Sequence, residues 1–254
     1  MRAVTAVSAK RSPWASCCLA LVLGGLPALA NGPRTLNTQA TNAPAADLQW
    51  TNAPLKQVAE GVFELGKVRL DKAKRTVTFP AAVNMSEGML EYALVTTYGK
   101  LHESLLVTEA DPLHLHLAML LIGAKGGTNR LAASGTELIE VSGDQVRLWV
   151  NWKAGAAERR VPMEDLVFNL ETHAPVSRGP WTYNGSRLIE GQYLARLDGS
   201  IIALITDPDA LINNPRPGRD NDVIWLVNTN AIPRAGTRVQ VAIEIHSHPE
   251  TVLH

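Results

Sequence analysis

His102, Glu103 and Ser104 follow one another in the segment LHESLLVT, and Glu91 lies in the apolar segment just before it. A hydroxyl, an imidazole and a carboxylate are the groups that serine hydrolases combine. The carboxylate orients the imidazole, which takes the proton from the hydroxyl. An imidazole with carboxylates can also hold a catalytic metal ion. These four residues are therefore the candidate catalytic group, and the chemistry they offer is Ser-dependent or metal-dependent hydrolysis centred on His102.

The spacing of these residues disfavours catalysis. If Gly99 and Lys100 form a two-residue type II′ turn, the flanking segments pair as an antiparallel hairpin. That register places His102, Ser104 and Glu91 on one face. The Cβ atoms of His102 and Ser104 are then roughly 7 Å apart, at ~3.3 Å rise per residue, and Glu91 lies too far along the neighbouring strand to orient His102. The chain also lacks a G-x-S-x-G nucleophile elbow.

Glu91 and Glu103 have a structural interpretation as well. Both lie in apolar segments that are predicted to be strands. A buried carboxylate must be paired or hydrogen-bonded, because an unpaired buried charge costs several kcal/mol. We expect each of them to be held by an arginine or by backbone amides of a loop.

Two histidine pairs have the H-x-H spacing of a metal site: His114 with His116, and His246 with His248. Residues i and i+2 of an α-helix point ~200° apart at 3.6 residues per turn, so a helical His114 and His116 cannot bind one ion together. In a strand the same spacing would place them on one face. His246 and His248 lie near the end of a predicted strand, where such a pair is typically without function. We therefore expect no metal site and no cofactor.

Helix signals occur in two places. Asp111 is a favourable N-cap, Pro112 suits the first helical position and Gly123 suits the position after the end. The apolar sequence LHLHLAMLLI between them predicts a short, mostly buried helix over about residues 112–122. A second Asp-Pro pair predicts another short helix over about residues 208–212.

Elsewhere the apolar runs are short and turn residues are frequent, which is typical of β-sheet proteins. The segments QVRLWVNW and GSIIALIT are the clearest strands, and the continuously apolar second one is expected to be central in its sheet. We expect a long exposed loop over residues 213–222. The predicted fold class is α+β, mainly antiparallel β-sheet with the two short helices. Residues 51–254 form a single β-rich globular domain, or two packed subdomains that meet near residue 142.

The N-terminal segment has the pattern of a secretory signal peptide, over residues 1–30. A basic head containing Lys10 and Arg11 precedes an apolar run that ends in the small-x-small sequence of Ala28 and Ala30. The run is shorter than the ~20 apolar residues of a spanning helix, so an uncleaved anchor is the less favoured alternative. Residues 31–50 are polar and rich in Asn, Thr, Ala and Pro, which predicts a flexible leader. The expected location is the periplasm or the extracellular space, with no membrane span after cleavage.

Composition narrows the function classes. The chain has 254 residues with 24 basic and 24 acidic side chains, and removal of Arg2, Lys10 and Arg11 leaves 21 basic against 24 acidic. This balance argues against a nucleic-acid partner. Both cysteines, Cys17 and Cys18, lie in the predicted signal peptide. The mature protein is therefore expected to have no disulfides, no cysteine nucleophile and no cysteine metal site.

Five phrases occur in order along the chain: LEYALVTTYGKLHESLLVT, DPLHLHLAMLLIG, VNW, WTYNGS and GSIIALITDPDALI. Together they resemble the YdjY-domain family of uncharacterised bacterial extracytoplasmic proteins, over about residues 61–245. The HESLL block followed by the Asp-Pro helix is the most specific part. The resemblance implies an exported domain without an assigned activity. Some relatives carry ferredoxin-type cysteine motifs, which a cysteine-free mature chain cannot match.

Four aromatic residues could serve recognition: Trp149, Trp152, Trp181 and Tyr183. Trp181 and Tyr183 would share a face of a short strand and could stack on a sugar, although core packing is the more common role of such residues. The sequence thus favours a non-enzymatic module that binds or scaffolds an envelope component, a protein or a glycan. The alternative is the hydrolase centred on His102.

Overall fold

The computed structural model of the chain describes residues 53–127 and 141–246. The predicted signal peptide (1–30), the predicted leader (31–50) and His248 lie outside the described residues. Within the described ranges the fold is rich in β-strands and has two α-helices, which confirms the α+β class. No helix of these two ranges is long and apolar enough to span a membrane.

The described ranges contain seventeen short strands and two helices, α1 (Pro112–Leu121) and α2 (Leu194–Asp198). Two 3₁₀ turns, Leu101–Glu103 and Met163–Leu166, lie directly before strands. The strands are β1 (Lys56–Ala59), β2 (Val62–Leu65), β3 (Val68–Asp71), β4 (Thr76–Val83), β5 (Tyr92–Thr96), β6 (Ser104–Thr108), β7 (Asp144–Ala154), β8 (Ala157–Pro162), β9 (Val167–Asn169), β10 (Ala174–Pro175), β11 (Trp181–Tyr183), β12 (Leu188–Ile189), β13 (Gln192–Tyr193), β14 (Ser200–Ala203), β15 (Ile212–Asn213), β16 (Trp225–Val227) and β17 (Arg238–Ile245).

The main sheet closes on itself. Strands β4, β17, β7, β11, β15, β14, β5 and β6 pair in that order, and β6 pairs again with β4 through Ala82 opposite Val107. Eight strands form a ring whose interior is just wide enough to be filled by side chains. Strands β1 to β3 extend the sheet beyond β4, and β8 extends it beyond β7.

Most of the buried apolar residues in the described ranges belong to one large hydrophobic cluster, and a small second cluster contains Tyr92 and Val95. The large cluster includes fully buried residues from before and after position 142, such as Phe79, Leu106, Leu148, Trp181 and Ile202. Alternation in β7 is as the sequence predicts, with Val146, Leu148 and Val150 buried and the residues between them more exposed. β14 is buried along its whole length, as expected of a central strand.

Helix α1 confirms its prediction. The Asp111 side chain accepts a hydrogen bond from the Leu113 amide at 2.9 Å, and Pro112 occupies the first position. Gly123 ends the helix at φ +88°, a conformation that favours glycine. The helix packs against β3, β4 and α2 and buries most of its residues.

The second predicted helix, over residues 208–212, is wrong. The Asp207 carboxylate accepts the Asp209 amide at 2.9 Å and closes a turn instead. Ile212 then enters β15, where it pairs in parallel with Ile202 of β14. The second helix is α2, which begins at Leu194.

The predicted hairpin around Gly99 is also wrong, because β5 and β6 are parallel. Tyr92 lies opposite Ser104, and Thr96 lies opposite Thr108. The chain returns to the start of β5 through the 3₁₀ turn at Leu101–Glu103. The other edge of β5 is occupied by the antiparallel strand β14.

The segment predicted as an exposed loop, residues 213–222, begins in the core. Asn213, Asn214 and Arg216 are buried. Arg216 donates to Glu164 at 2.9 Å, and its guanidinium lies 4.9 Å from the Trp181 ring centre. Polar side chains are buried here because each of them is hydrogen-bonded.

Candidate functional site

The structure does not bring the predicted catalytic residues together. His102 lies at the surface with 80% of its side chain exposed, and its Nε2 is 3.3 Å from Glu103 Oε2. Ser104 is fully buried, and its hydroxyl donates to the Lys100 carbonyl oxygen at 2.5 Å. A buried hydroxyl bonded to backbone is not available as a nucleophile for His102.

Glu91 and Glu103 are neighbours rather than separate buried acids. The parallel register joins the Glu91 amide to the Glu103 carbonyl oxygen at 2.9 Å. Both side chains are partly exposed. Within the described residues neither carboxylate is held by an arginine or by a loop amide, contrary to expectation. Partial burial raises the pKa of Glu91, and the charges of Glu103 and Asp222 raise it further against the opposing effect of Lys100.

His114 and His116 point away from different sides of helix α1, because residues i and i+2 of a helix lie on different faces. The His114 ring packs against Gly66, where an added Cβ would lie 2.6 Å from its Nδ1. The His116 Nδ1 is 2.8 Å from the Tyr183 hydroxyl. Burial lowers the pKa of both imidazoles. Among residues 53–127 and 141–246, no group of three or more potential ligands is placed to hold a metal ion. His246 ends β17, and its predicted partner His248 lies outside the described residues.

A small cavity adjoins His116. It has a volume of about 240 Å³ and lies between α1, the Gly126–Gly127 segment and the residues that follow β11. The rings of His116 and Tyr193 are 5.2 Å apart at its wall. Trp181 and Tyr183, the pair considered for stacking on a ligand, are fully buried and belong to the core.

A second concave surface is a groove on the outer face of five neighbouring strands. Strands β4, β17 and β7 form its floor, with β3 at one side and β8 at the other. Its volume is about 730 Å³. The floor carries small and uncharged polar side chains: Thr78 lies opposite Ala242, and Gln240 lies opposite Asn151.

The groove is lined by more basic than acidic side chains. Three of the basic residues are in ion pairs: Arg69 with Glu64, Lys74 with Asp71, and Arg160 with Glu244. The other three, Lys153, Arg159 and Arg238, are exposed and have no ion-pair partner within the described part of the chain. The basic lining residues are Arg69, Lys74, Lys153, Arg159, Arg160 and Arg238, and the acidic ones are Asp71, Glu158 and Glu244.

One wall of the groove is held in place by three interlocked side chains. The Arg160 guanidinium lies 4.5 Å from the Trp149 ring centre and donates to Glu244 at 2.5 Å. The Trp149 indole N–H donates to the other oxygen of Glu244 at 2.9 Å. Cation–π contact and charge-assisted hydrogen bonds fix the orientation of Arg160. Trp152, the fourth aromatic of interest, lines the groove but packs partly against the core.

The sequence did not reveal this groove. Its residues come from strands far apart in the chain, and the contacts among them depend on the order β3–β4–β17–β7–β8. The alternation of polar and apolar residues could have indicated a polar outer face here. Arg238 and Gln240 lie at every second position of β17, and Asn151 lies at a polar position of β7.

Comparison with known proteins gives one match. The family model described as the YdjY domain matches residues 68–244, which is more than half of the chain. This range spans the five strands of the groove and the helix that carries His116. No functionally curated protein and no solved structure matches the chain.

Proposed function

The chain belongs to the YdjY domain family, and on that premise we propose that it is a non-enzymatic, extracytoplasmic module that binds an acidic glycan of the cell envelope. The observation that carries the proposal is the excess of basic side chains in the groove, three of which are exposed and unpaired among the described residues. A concave surface with an excess of one sign of charge attracts a ligand of the opposite sign.

The chemistry of the groove fits a carboxylated sugar polymer. Guanidinium groups such as those of Arg159 and Arg238 bind carboxylates through two parallel hydrogen bonds. The amides of Asn151 and Gln240 on the floor can both donate to and accept from sugar hydroxyls. The groove volume of about 730 Å³ lies in the upper part of the ~300–1,000 Å³ range of ligand pockets.

Export to the envelope supports the same class of ligand. The predicted signal peptide directs the chain to the compartment where acidic glycans occur, and its removal leaves 21 basic against 24 acidic residues. The basic character is thus a property of this groove rather than of the whole protein. The hydrolase centred on His102 has no comparable support, because Ser104 is buried and already hydrogen-bonded.

Binding of the chain from residue 31 onward to polygalacturonate, measured by isothermal titration calorimetry, tests the proposal. We expect binding that weakens as salt is raised, because salt screens exposed charges. Neutral dextran should not bind. The variant Lys153→Glu/Arg159→Glu/Arg238→Glu should lose about threefold to a hundredfold in affinity, since it removes three exposed charge contacts of ~0.2–1 kcal/mol each.

The matched control reverses three exposed basic residues outside the groove: Lys56→Glu/Lys125→Glu/Arg234→Glu. It should retain the affinity of the unmodified protein within about twofold, because the net charge changes equally but the groove does not. An equal loss in both variants would show that the polymer responds to net charge alone. Tighter binding to duplex DNA than to polygalacturonate would contradict the glycan assignment.

A further inference from the structure

The cavity beside His116 is separate from the groove and has its own polar group. It is lined by Leu113 and His116 of α1, by the Gly126–Gly127 segment, and by residues that follow β11. The volume of about 240 Å³ is room for roughly eight water molecules at ~30 Å³ each. A molecule with one ring fits this space.

Glycines keep the cavity open. A Cβ at Gly185, which has φ +82°, would lie 3.3 Å from His116 Cε1. A Cβ at Gly126 would lie 2.8 Å from the Asn184 carbonyl oxygen. Larger residues at either position would push the backbone apart or cover the imidazole.

The polar side chains around the cavity are hydrogen-bonded within the protein, and only His116 has a ring nitrogen left over among the described residues. The Asn184 amide donates to the Ala210 carbonyl oxygen at 2.7 Å and accepts from Asn213 at 2.9 Å. The Ser186 hydroxyl donates to the Asp209 carbonyl oxygen at 2.5 Å and accepts the Ala195 amide at 2.9 Å. The Tyr193 hydroxyl donates to the Gly185 carbonyl oxygen at 3.0 Å. Within the described residues, the second ring nitrogen of His116, Nε2, has no partner.

The hydrogen bond made by His116 Nδ1 determines whether Nε2 is a hydrogen-bond donor or an acceptor. The Tyr183 hydroxyl is buried and its hydrogen-bond partner is His116 Nδ1, at 2.8 Å. A phenol O–H that did not donate would be left unsatisfied in the core, so it donates to Nδ1. Burial lowers the pKa of His116, so the ring is neutral at neutral pH. Its single proton is then on Nε2, which becomes a donor.

Among residues 53–127 and 141–246, those that line the cavity include no Lys, Arg, Asp or Glu. A charged ligand would lose its hydration there without gaining an ion pair, which is costly. Leu113, Leu188 and the Tyr193 ring provide apolar contact area. We propose that this cavity binds a small neutral molecule that combines an apolar ring with one hydrogen-bond acceptor, which accepts from His116 Nε2.

Benzamide is a suitable probe, with benzoate as the charged analogue and toluene as the ring without an acceptor. Binding to the chain from residue 31 onward can be followed by two-dimensional ¹H–¹⁵N spectra of the histidine rings. We expect benzamide to shift the His116 Nε2 resonance and leave that of the exposed His102 unchanged. Benzoate should bind at least about tenfold more weakly, because its charge has no partner in the cavity.

A double variant separates ligand binding from a purely structural role of His116. Tyr183→Phe/His116→Phe removes both polar partners at once, which keeps the core satisfied. It should weaken benzamide binding by about fivefold to tenfold relative to the unmodified protein, the value of one hydrogen bond. Toluene should bind equally to the variant and to the unmodified protein.

A second test of binding in the cavity fills its exposed side, where Leu188 lies, with a larger side chain. Leu188 is 57% exposed at the cavity, and Leu197, 59% exposed on α2, does not line it. Leu188→Trp should abolish benzamide binding, whereas Leu197→Trp should not change it. If benzamide fails to shift His116, or if Leu188→Trp and Leu197→Trp behave alike, the cavity is not this site. Polygalacturonate binding in the groove would be unaffected by either result.

Discussion

Glu91 donates its backbone N–H to the carbonyl oxygen of Glu103 at 2.9 Å, which brings two carboxylates together at the starts of β5 and β6. The contact exists because these strands are parallel, with Tyr92 opposite Ser104. An antiparallel hairpin would have placed Glu91 opposite Thr108 instead. The two acids therefore repel each other in the folded protein.

Glu91→Gln should stabilise the protein at neutral pH. The pKa of Glu91 is raised in the folded state by partial burial and by Glu103, so the folded state holds this proton more tightly than the unfolded chain does. Protonated Glu91 therefore contributes to the free energy of unfolding below the unfolded pKa of about 4.5. This contribution is lost as pH rises through the folded pKa and the carboxylate becomes charged. We expect a rise of about 1–3 °C in Tm at pH 7 and no difference near pH 4. The exposed Glu87→Gln is the control, and equal shifts in both variants would contradict the account.

Arg216→Met should be among the most destabilising substitutions. Arg216 donates to Glu164, to the Ser177 carbonyl oxygen and to the Gly179 carbonyl oxygen, at 2.6–2.9 Å. Removing it leaves Glu164 buried without its partner, at a cost of about 3–5 kcal/mol in the free energy of unfolding. Urea denaturation measures this loss.

The comparison for Arg216 is Arg178→Met, which breaks the exposed ion pair with Asp165. Exposed pairs contribute little, so its urea midpoint should remain close to that of the unmodified protein. Replacing Glu164 and Arg216 together by Leu and Met should restore much of the lost stability, since no unpaired charge is left. A double variant no more stable than Arg216→Met would be inconsistent with a buried charge as the cause.

Stability should fall as the solution becomes acidic, partly because of His116. Burial lowers the pKa of His116 below its usual value, so the unfolded chain binds the proton more readily. Neutral His116 therefore contributes to the free energy of unfolding above the unfolded pKa of about 6.5. This contribution is lost as pH falls below that value, because the unfolded chain then takes up the proton. Tyr183→Phe/His116→Phe should therefore show a smaller decrease in Tm between about pH 7 and pH 5 than Tyr183→Phe. The exposed His173, at φ +51°, provides the control His173→Asn, which should leave this slope unchanged.

Features set by neighbouring residues were predictable from the sequence. Helix α1 has its N-cap at Asp111, its proline at Pro112 and its terminating glycine at Gly123, all within one short segment. The alternating burial of β7 follows in the same way from its own residues. Local hydrogen bonds and the burial of one face are sufficient to determine these elements.

Features that depend on distant partners were not predictable. Gly99 and Lys100 have the pattern of a hairpin turn, but β6 pairs with β5 in parallel, and it also pairs with the distant strand β4. Asn213 resembles a loop residue, yet its side chain donates to Asn184 from the segment after β11. The His116–Tyr183 hydrogen bond likewise joins residues that are far apart in the chain.

The indole N–H resonance of Trp149 reports whether a glycan binds in the groove. This group donates to Glu244 and lies beneath Arg160, which lines the groove next to Arg159, so a carboxylated glycan bound in the groove changes its surroundings. Trp181 and Trp225 are buried in the core and serve as internal references. On titration with polygalacturonate, we expect the Trp149 resonance to shift saturably while the other two stay in place. A titration in which Trp149 does not move, or in which all three shift together, would contradict binding in the groove.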